Sequence, residues 1–405
     1  MKPKHLKLPL RPGAHWLLVL VVVGYPMAGL MASAFNWDSL NASLPLRAAV
    51  FFLSLIMLFS RRRGPIPRHR LLLGGFALLY LMRLLWDTGV ASVVGAPDAF
   101  VFFMITVVLP CAALWTRANE VDQVAAARLM LRLGSLICIA AVAMHVFGIG
   151  QDRSTTEAFG RLSFEALNPI SLGHAAASSL IAALCMAQSR LRAADLVLLL
   201  AGSIAALITL GLAASRGPVL CLTAAALVYA IANRRWHWLF LLALAAFAVS
   251  MAPETVLWER FAGIEEDQSS LERIVLQGSA ITAFLSSPVW GSAFVEPNFF
   301  TYPHNLFIET AMALGVVGLT FLFMVLRRTA PAMWHEFRSQ RLFLPMLLIQ
   351  YFIAAQLSGA IYGNSALWAC VVLIAGSAIP LRDRRRRMAG PSSIGALNPS
   401  PNLHT

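Results

Sequence analysis

The stretch TYPHNLFIETAMALGVVGLTFLFMVL, residues 301–326, opens on polar residues and then turns apolar for long enough to cross a bilayer as one helix, a distance of about 20 helical residues. A histidine, His304, stands at its threshold, and an acid, Glu309, lies inside it. Comparable apolar runs recur along a chain of 405 residues that is 59% hydrophobic and only 13% charged. This balance argues against an ordinary soluble domain and predicts an all-α, polytopic membrane protein. We read about 12 transmembrane helices, at 15–35, 46–60, 71–88, 99–115, 131–150, 169–188, 194–213, 217–232, 236–251, 304–326, 342–358 and 364–381.

The formal charge of +13 raises the possibility of nucleic acid, but its placement points elsewhere. The lysines are Lys2, Lys4 and Lys7; the rest is arginine, gathered in short segments between spans with no basic groove interleaved with aromatics. Such charges set topology, and no nucleic-acid partner is expected. Assigned to alternate span ends, 25 of the 32 basic residues fall on one side. By the positive-inside rule that side is the cytoplasm, and both termini lie there. Arg47, Arg83, Arg153, Arg161, Arg216, Arg260 and Arg273 are left for the opposite face. Arg83 can pair with Asp87 one helical turn on, and Arg47 can simply mark a helix start.

The chain reads as a single transmembrane domain over 1–388 and a disordered cytoplasmic tail over 389–405, rich in Pro, Ser, Asn and Gly. A large periplasmic loop, 252–303, separates the ninth and tenth spans. Part of it is helical: Ser269 and Glu272 have capping-box spacing, and Leu271, Ile274, Val275, Gly278, Ile281 and Leu285 form a stripe. That helix would lie on the membrane surface or pack over the bundle. The basic N-terminus, its apolar run and Ala32-Ser33-Ala34 also resemble a signal peptide, although the run is long enough to span. Five cysteines fall in apolar segments without metal or disulfide spacing.

Three spans begin on the outer face with unusual chemistry. The sixth starts at Asn168-Pro169, the eighth at Ser215-Arg216-Gly217-Pro218 and the tenth at Pro303-His304-Asn305. Helix N-termini favour anions through their open N–H groups and dipole. Arg161 and Arg216 add cations beside them. A diphosphate suits that set, because the planar fork of arginine can hold two phosphate oxygens at once. His304 would then take the proton of an attacking hydroxyl, its ordinary pKa of ~6.5 suiting a base at neutral pH. Singly, each residue has a plainer reading: an interfacial arginine snorkels to headgroups, and a lone histidine caps its helix. Glu309 is harder to dismiss, since an acid inside a span has a partner or a function; it would orient a site group or bond a neighbouring helix.

At these residues the sequence resembles the O-antigen ligase and O-antigen polymerase family of bacterial membrane glycosyltransferases. Four stretches carry the resemblance: PVWGSAFVEPNFFTYPHNLFIETAMALGVVGL (288–319), ASRGPVL (214–220), GRLSFEALNPISLG (160–173) and SSLERIVLQGSAITAFLSSP (269–288). The first holds a glycine turn, a Pro-His-Asn-Leu-Phe-x-Glu segment and a Leu-Gly-x-x-Gly continuation. The resemblance implies an undecaprenyl-diphosphate-linked glycan donor on the periplasmic face of the inner membrane, with no cofactor and no metal. It implies that His304 is the catalytic residue that activates the acceptor hydroxyl, and that Arg161 and Arg216 grip the diphosphate with help from Arg273. Beside it, Glu309 is expected to support catalysis, and Asn168 and Asn305, at two of the helix starts, to take part in donor binding. Direct displacement would invert the anomeric carbon. The acceptor would be lipid A–core for a ligase, another lipid-linked repeat for an O-antigen or exopolysaccharide polymerase, or a protein for a protein-glycosylating relative. One departure stands out: Gly291-Ser292-Ala293-Phe294 keeps only the first of the family's two or three turn glycines.

A lipid-glycan transporter or flippase is the reading from another class. Transporters show repeated halves and midplane charges, whereas this chain shows no repeat and gathers its unusual charges at one face. An enzyme predicts that Arg161, Arg216, Arg273 and His304 converge.

Overall fold

The computed structural model describes residues 13–60, 68–152, 161–188, 193–234 and 268–377. The chain is an all-α bundle; among these residues the only β pairing is three isolated bridges in loops. In chain order come α1 (Gly13–Phe35), α2 (Ser39–Phe59), α3 (Arg68–Gly89), α4 (Ala96–Phe103), α5 (Leu109–Thr116), α6 (Gln123–Phe147) and α7 (Pro169–Met186). Then follow α8 (Ala193–Ala213), α9 (Arg216–Ala232), α10 (Gln268–Ser286), α11 (Leu306–Arg338), α12 (Phe343–Leu357) and α13 (Ser365–Ser377). Eight segments among the described residues have the length and hydropathy of a membrane span, and α9, α12 and α13 are shorter apolar helices. Eleven expected spans therefore coincide with helices, while the one at 236–251 lies outside the described residues.

The boundaries move for local reasons. The expected span at 131–150 begins earlier, at Gln123, because Asp122 caps the helix by accepting from Val124 N at 2.9 Å and Ala125 N at 3.3 Å. It stops at Phe147, where Gly148 takes φ 66°. The fourth span is α4 and α5 joined through a π turn, Met104–Val108; Pro110 has no N–H for the carbonyl four residues back, and the helix widens ahead of it. Ser269 was expected to cap the loop helix, but α10 already includes Gln268, so Ser269 lies within the first turn.

Lipid tails give helices no hydrophobic reason to associate, so close approach through small residues does much of the work. Between α6, α7 and α8 it is extreme: a Cβ on Gly134 would lie 2.0 Å from Ser179 Oγ, and one on Gly202 1.9 Å from Ser135 Oγ. At one end of the bundle Asp195 of α8 holds Arg132 of α6 at 3.4 Å. There too Gln123 donates to Glu336 at 2.7 Å, and Arg341 pairs with Glu336 at 3.1 Å. The starts of α7, α9 and α11 lie at the opposite end.

Candidate active site

The helix α11 is broken at Gly315, whose φ of 64° and ψ of −158° leave the helical region. The stretch 288–292 plugs into this break. Ser292 N donates to the Met312 carbonyl at 2.7 Å, and Val316 N donates to the Pro288 carbonyl at 2.8 Å. Both glycines at the junction are required. Gly291 has φ 76° and a Cβ there would meet the Ala313 carbonyl carbon at 2.4 Å; one on Gly315 would meet the Val289 backbone at 2.3 Å. The single turn glycine that this chain keeps is thus the one whose backbone needs it.

Arg83 of α3 closes the junction. Its guanidinium donates to the carbonyls of Ala313 (2.8 Å), Ser292 (3.1 Å), Trp290 (2.9 Å) and Gly291 (2.9 Å). It also meets Asp87 at 3.3 Å, and Asp87 in turn accepts from Phe294 N at 2.8 Å. The expected Arg83–Asp87 pair is present, yet its larger part is to dock a loop. Helix spacing could show the pair and not the carbonyls, which belong to residues more than two hundred positions away.

From this anchor the chain runs through a second hub, Glu296, which sequence reasoning missed. Its buried carboxylate accepts from Ser279 Oγ of α10 (2.5 Å), Asn298 N (2.7 Å), Asn298 Nδ2 (2.8 Å) and Phe299 N (2.7 Å). Burial pushes its pKa up, but these donors outweigh burial and hold it below the usual carboxylate value. The only sequence signal was an acid opening the turn-forming Glu-Pro-Asn. The hub ties α10 to the Tyr302-Pro303-His304 segment.

His304 takes φ 56°, a left-handed conformation just ahead of α11. Its ring lies 4.5 Å from that of Tyr302, edge-on, and its Nδ1 is buried with no hydrogen-bond partner among the described residues. Burial, and secondarily the charge of Arg273, lower its pKa to about 4. The ring is therefore neutral at physiological pH and a weaker base than free imidazole, a correction to the unperturbed value expected from sequence. His304 and Arg273 line one cavity of about 560 Å³, together with Glu272, Leu276, Phe299 and Thr301.

The other expected residues are reached through contacts. Arg216, the first residue of α9, donates from Nη2 to Ser270 Oγ at 3.3 Å. Ser270 sits three residues before Arg273 on α10, hence on the same face. Arg161 Nε donates to the Ala213 carbonyl at 3.4 Å, in the turn that leads to Arg216. Of the four residues expected to converge, Arg273 and His304 line the cavity, while Arg216 bonds Ser270, one turn before Arg273, and Arg161 bonds the turn ahead of Arg216. Asn168 and Asn305 are helix caps: Asn168 Oδ1 accepts from Ser171 N (2.8 Å), and Asn305 Oδ1 from Phe307 N (3.0 Å) and Ile308 N (3.1 Å). Ser215, in contrast, makes no side-chain cap on α9, which leaves that start better suited to an anion.

Glu309 is fully buried and does not face the cavity. Its carboxylate accepts from Ile361 N at 3.0 Å through both oxygens and from Tyr80 Oη at 3.4 Å. It bonds a neighbouring element, one of its two expected roles, and secures the turn that carries Tyr362, whose ring lies 6.1 Å from Tyr302. Among the described residues no group of three His, Cys, Asp or Glu could hold a metal.

No curated protein and no solved structure matches the chain. The family model for O-antigen ligase matches residues 199–323. That segment contains Arg216, Arg273, His304, Asn305 and Glu309, and both halves of the glycine junction. The match covers less than half of the chain and supports its resemblance to the O-antigen ligase and polymerase family.

Proposed function

We propose that the protein is an O-antigen ligase-like glycosyltransferase that moves a glycan from undecaprenyl diphosphate to lipid A–core at the periplasmic face of the inner membrane. The observation that carries this reading is that Arg273 and His304 line one cavity and Arg216 is bonded to Ser270, one turn from Arg273, all within the segment that matches the family. In the reaction, the acceptor hydroxyl attacks the anomeric carbon of the lipid-linked sugar. The new carbon–oxygen bond forms as the bond to the diphosphate breaks, with inversion, and His304 takes the hydroxyl proton. Undecaprenyl diphosphate leaves with the bonding electrons, and Arg161, Arg216 and Arg273 stabilise its added charge, the kind of term that most often dominates catalysis. No step calls for a metal or cofactor.

Glu309, Arg83 and Glu296 hold the histidine segment in place and touch no reacting atom. The apolar stripe of α10 supports a site at the lipid surface. Leu271, Ile274, Val275, Ile281 and Leu285 are exposed, whereas Leu276 and Ala280 face the protein. The helix would lie in the outer leaflet with its cations at headgroup level.

The test is glycan transfer by purified protein, wild type and His304→Ala, in chelator-treated detergent buffer with undecaprenyl-diphosphate glycan, with and without lipid A–core. Glycosylated lipid A–core, reduced at least ~100-fold in the variant, is the expected result. Longer lipid-linked chains formed without lipid A–core would make the protein a polymerase. Full activity of His304→Ala would remove the base from the scheme.

A further inference from the structure

A second cavity, of about 350 Å³, lies between α1, α2, α4, α7, α12 and α13. It draws on the middle of α1 and α12 and the N-terminal parts of α2, α7 and α13, the last three starting at the same end as His304. Its aliphatic wall comes mainly from α1 and α2, but its polar groups are unusual for a lipid-embedded site. Arg47 stands at the wall with its guanidinium 5.3 Å from the Phe102 ring centre, and among the described residues no carboxylate pairs with it. His174 also lines the cavity, and its buried Nδ1 meets no hydrogen-bond partner among the described residues. Ser171, Tyr351 and Asn364 supply further hydroxyl and amide groups.

Cations and unmatched ring nitrogens within membrane spans are costly and are kept for a partner. A ligand that satisfies this wall has an acidic head for Arg47, a hydrogen-bonding group for His174 and long apolar chains for the rest. The cavity is also coupled to the histidine. Phe102 lies 6.2 Å from Tyr362, Tyr362 lies 6.1 Å from Tyr302, and Tyr302 lies 4.5 Å from His304, an unbroken file of ring contacts. His304 thus lines the compartment of Arg273 and is connected to the compartment of Arg47 through Tyr302 and Tyr362. Transfer between two membrane-anchored substrates requires both to be held at once, and the cations at Arg161, Arg216 and Arg273 serve only one of them.

We propose that the Arg47–His174 cavity binds the acceptor amphiphile, a phosphorylated head on long apolar chains; this rests on the glycan-transfer reading. Lipid A–core and a second lipid-linked glycan share that chemistry. The experiment uses the full chain in phosphatidylcholine nanodiscs, as wild type, Arg47→Met, Arg47→Lys and His174→Phe. Initial rates are measured against each acceptor at saturating donor, and against donor at saturating acceptor. Arg47→Met is expected to raise the acceptor KM about tenfold and leave the donor KM within about twofold, with Arg47→Lys recovering most of the loss. An unchanged acceptor KM, or a donor KM that rises in step, would overturn the assignment. Independently of turnover, diazirine-bearing lipid A–core and diazirine-bearing undecaprenyl-diphosphate glycan are cross-linked to wild type. Labelling of peptides containing Arg47 or His174 by either probe, competed by the same unlabelled compound, supports the site and says which acceptor it takes. Labelling confined to α9 and α10, or none, rejects it. If wild type transfers no glycan to either acceptor, the transfer reading fails, while the labelling still decides what this cavity binds.

Discussion

The pKa of His304 is where burial and charge meet the proposed base. Burial disfavours the imidazolium, and the neighbouring Arg273 disfavours it further, so the ring stays neutral down to about pH 4. A base that must be neutral to act then has no acid limb near neutrality. We expect kcat/KM for transfer to stay level from neutral pH to about 5 and to fall by half near 4. Removing the like charge with Arg273→Leu makes protonation easier, so the limb moves to higher pH while the overall rate drops. A pH–rate profile of both proteins checks this; a wild-type limb near the ordinary histidine value would mean that the proton goes elsewhere. Tyr302, against the same ring, has its phenol pKa raised, first by burial, so it remains protonated throughout that range.

The break in α11 is a joint between two chain segments, and its parts can be tested by stability. Arg83→Leu would leave the buried Asp87 without its partner and strip four carbonyls of a donor. Breaking one side of such a pair costs about 3–5 kcal/mol, so a large drop in Tm is expected in detergent-solubilised protein. Gly291→Ala and Gly315→Ala would force side chains into left-handed backbone, worth about 1–3 kcal/mol of strain each, with the backbone overlap added. Gly278→Ala is the control. It lies in α10 with nothing within 4 Å of its Cβ position, and alanine there is expected to stabilise the helix by up to ~1 kcal/mol. If all three glycine variants unfold alike, the joint is not the source of the effect.

At the scale of the whole molecule, the arginine asymmetry makes a topological prediction that cysteine labelling can check. In a background lacking the five native cysteines, Glu165→Cys, at the end that holds His304, is expected to react with an impermeant maleimide in intact cells. Ser339→Cys, after α11 at the other end, is expected to react only after lysis. The reverse pattern would place the site on the cytoplasmic face and remove the periplasmic reading. Much of this scale was legible in the chain beforehand. Apolar length marked the helices, since a bilayer demands about 20 residues whatever their neighbours. The unusual helix starts were legible too, because Pro-His-Asn, Ser-Arg-Gly and Asn-Pro are local chemistry.

Sequence alone therefore determined the all-α membrane architecture, the positions of eleven helices and the residues to watch at their ends, because hydropathy, capping and charge bias act over a few residues at a time. Only the tertiary structure decided what those residues face. Arg83 grips carbonyls of the distant 290–313 segment, Glu309 turns to Ile361 and away from the cavity, and Glu296 organises the histidine loop. The lowered pKa of His304 belongs to the same class, since it follows from burial and from a cation on another helix. Contacts of this kind depend on which helices lie side by side, and spacing along one chain carries no record of that.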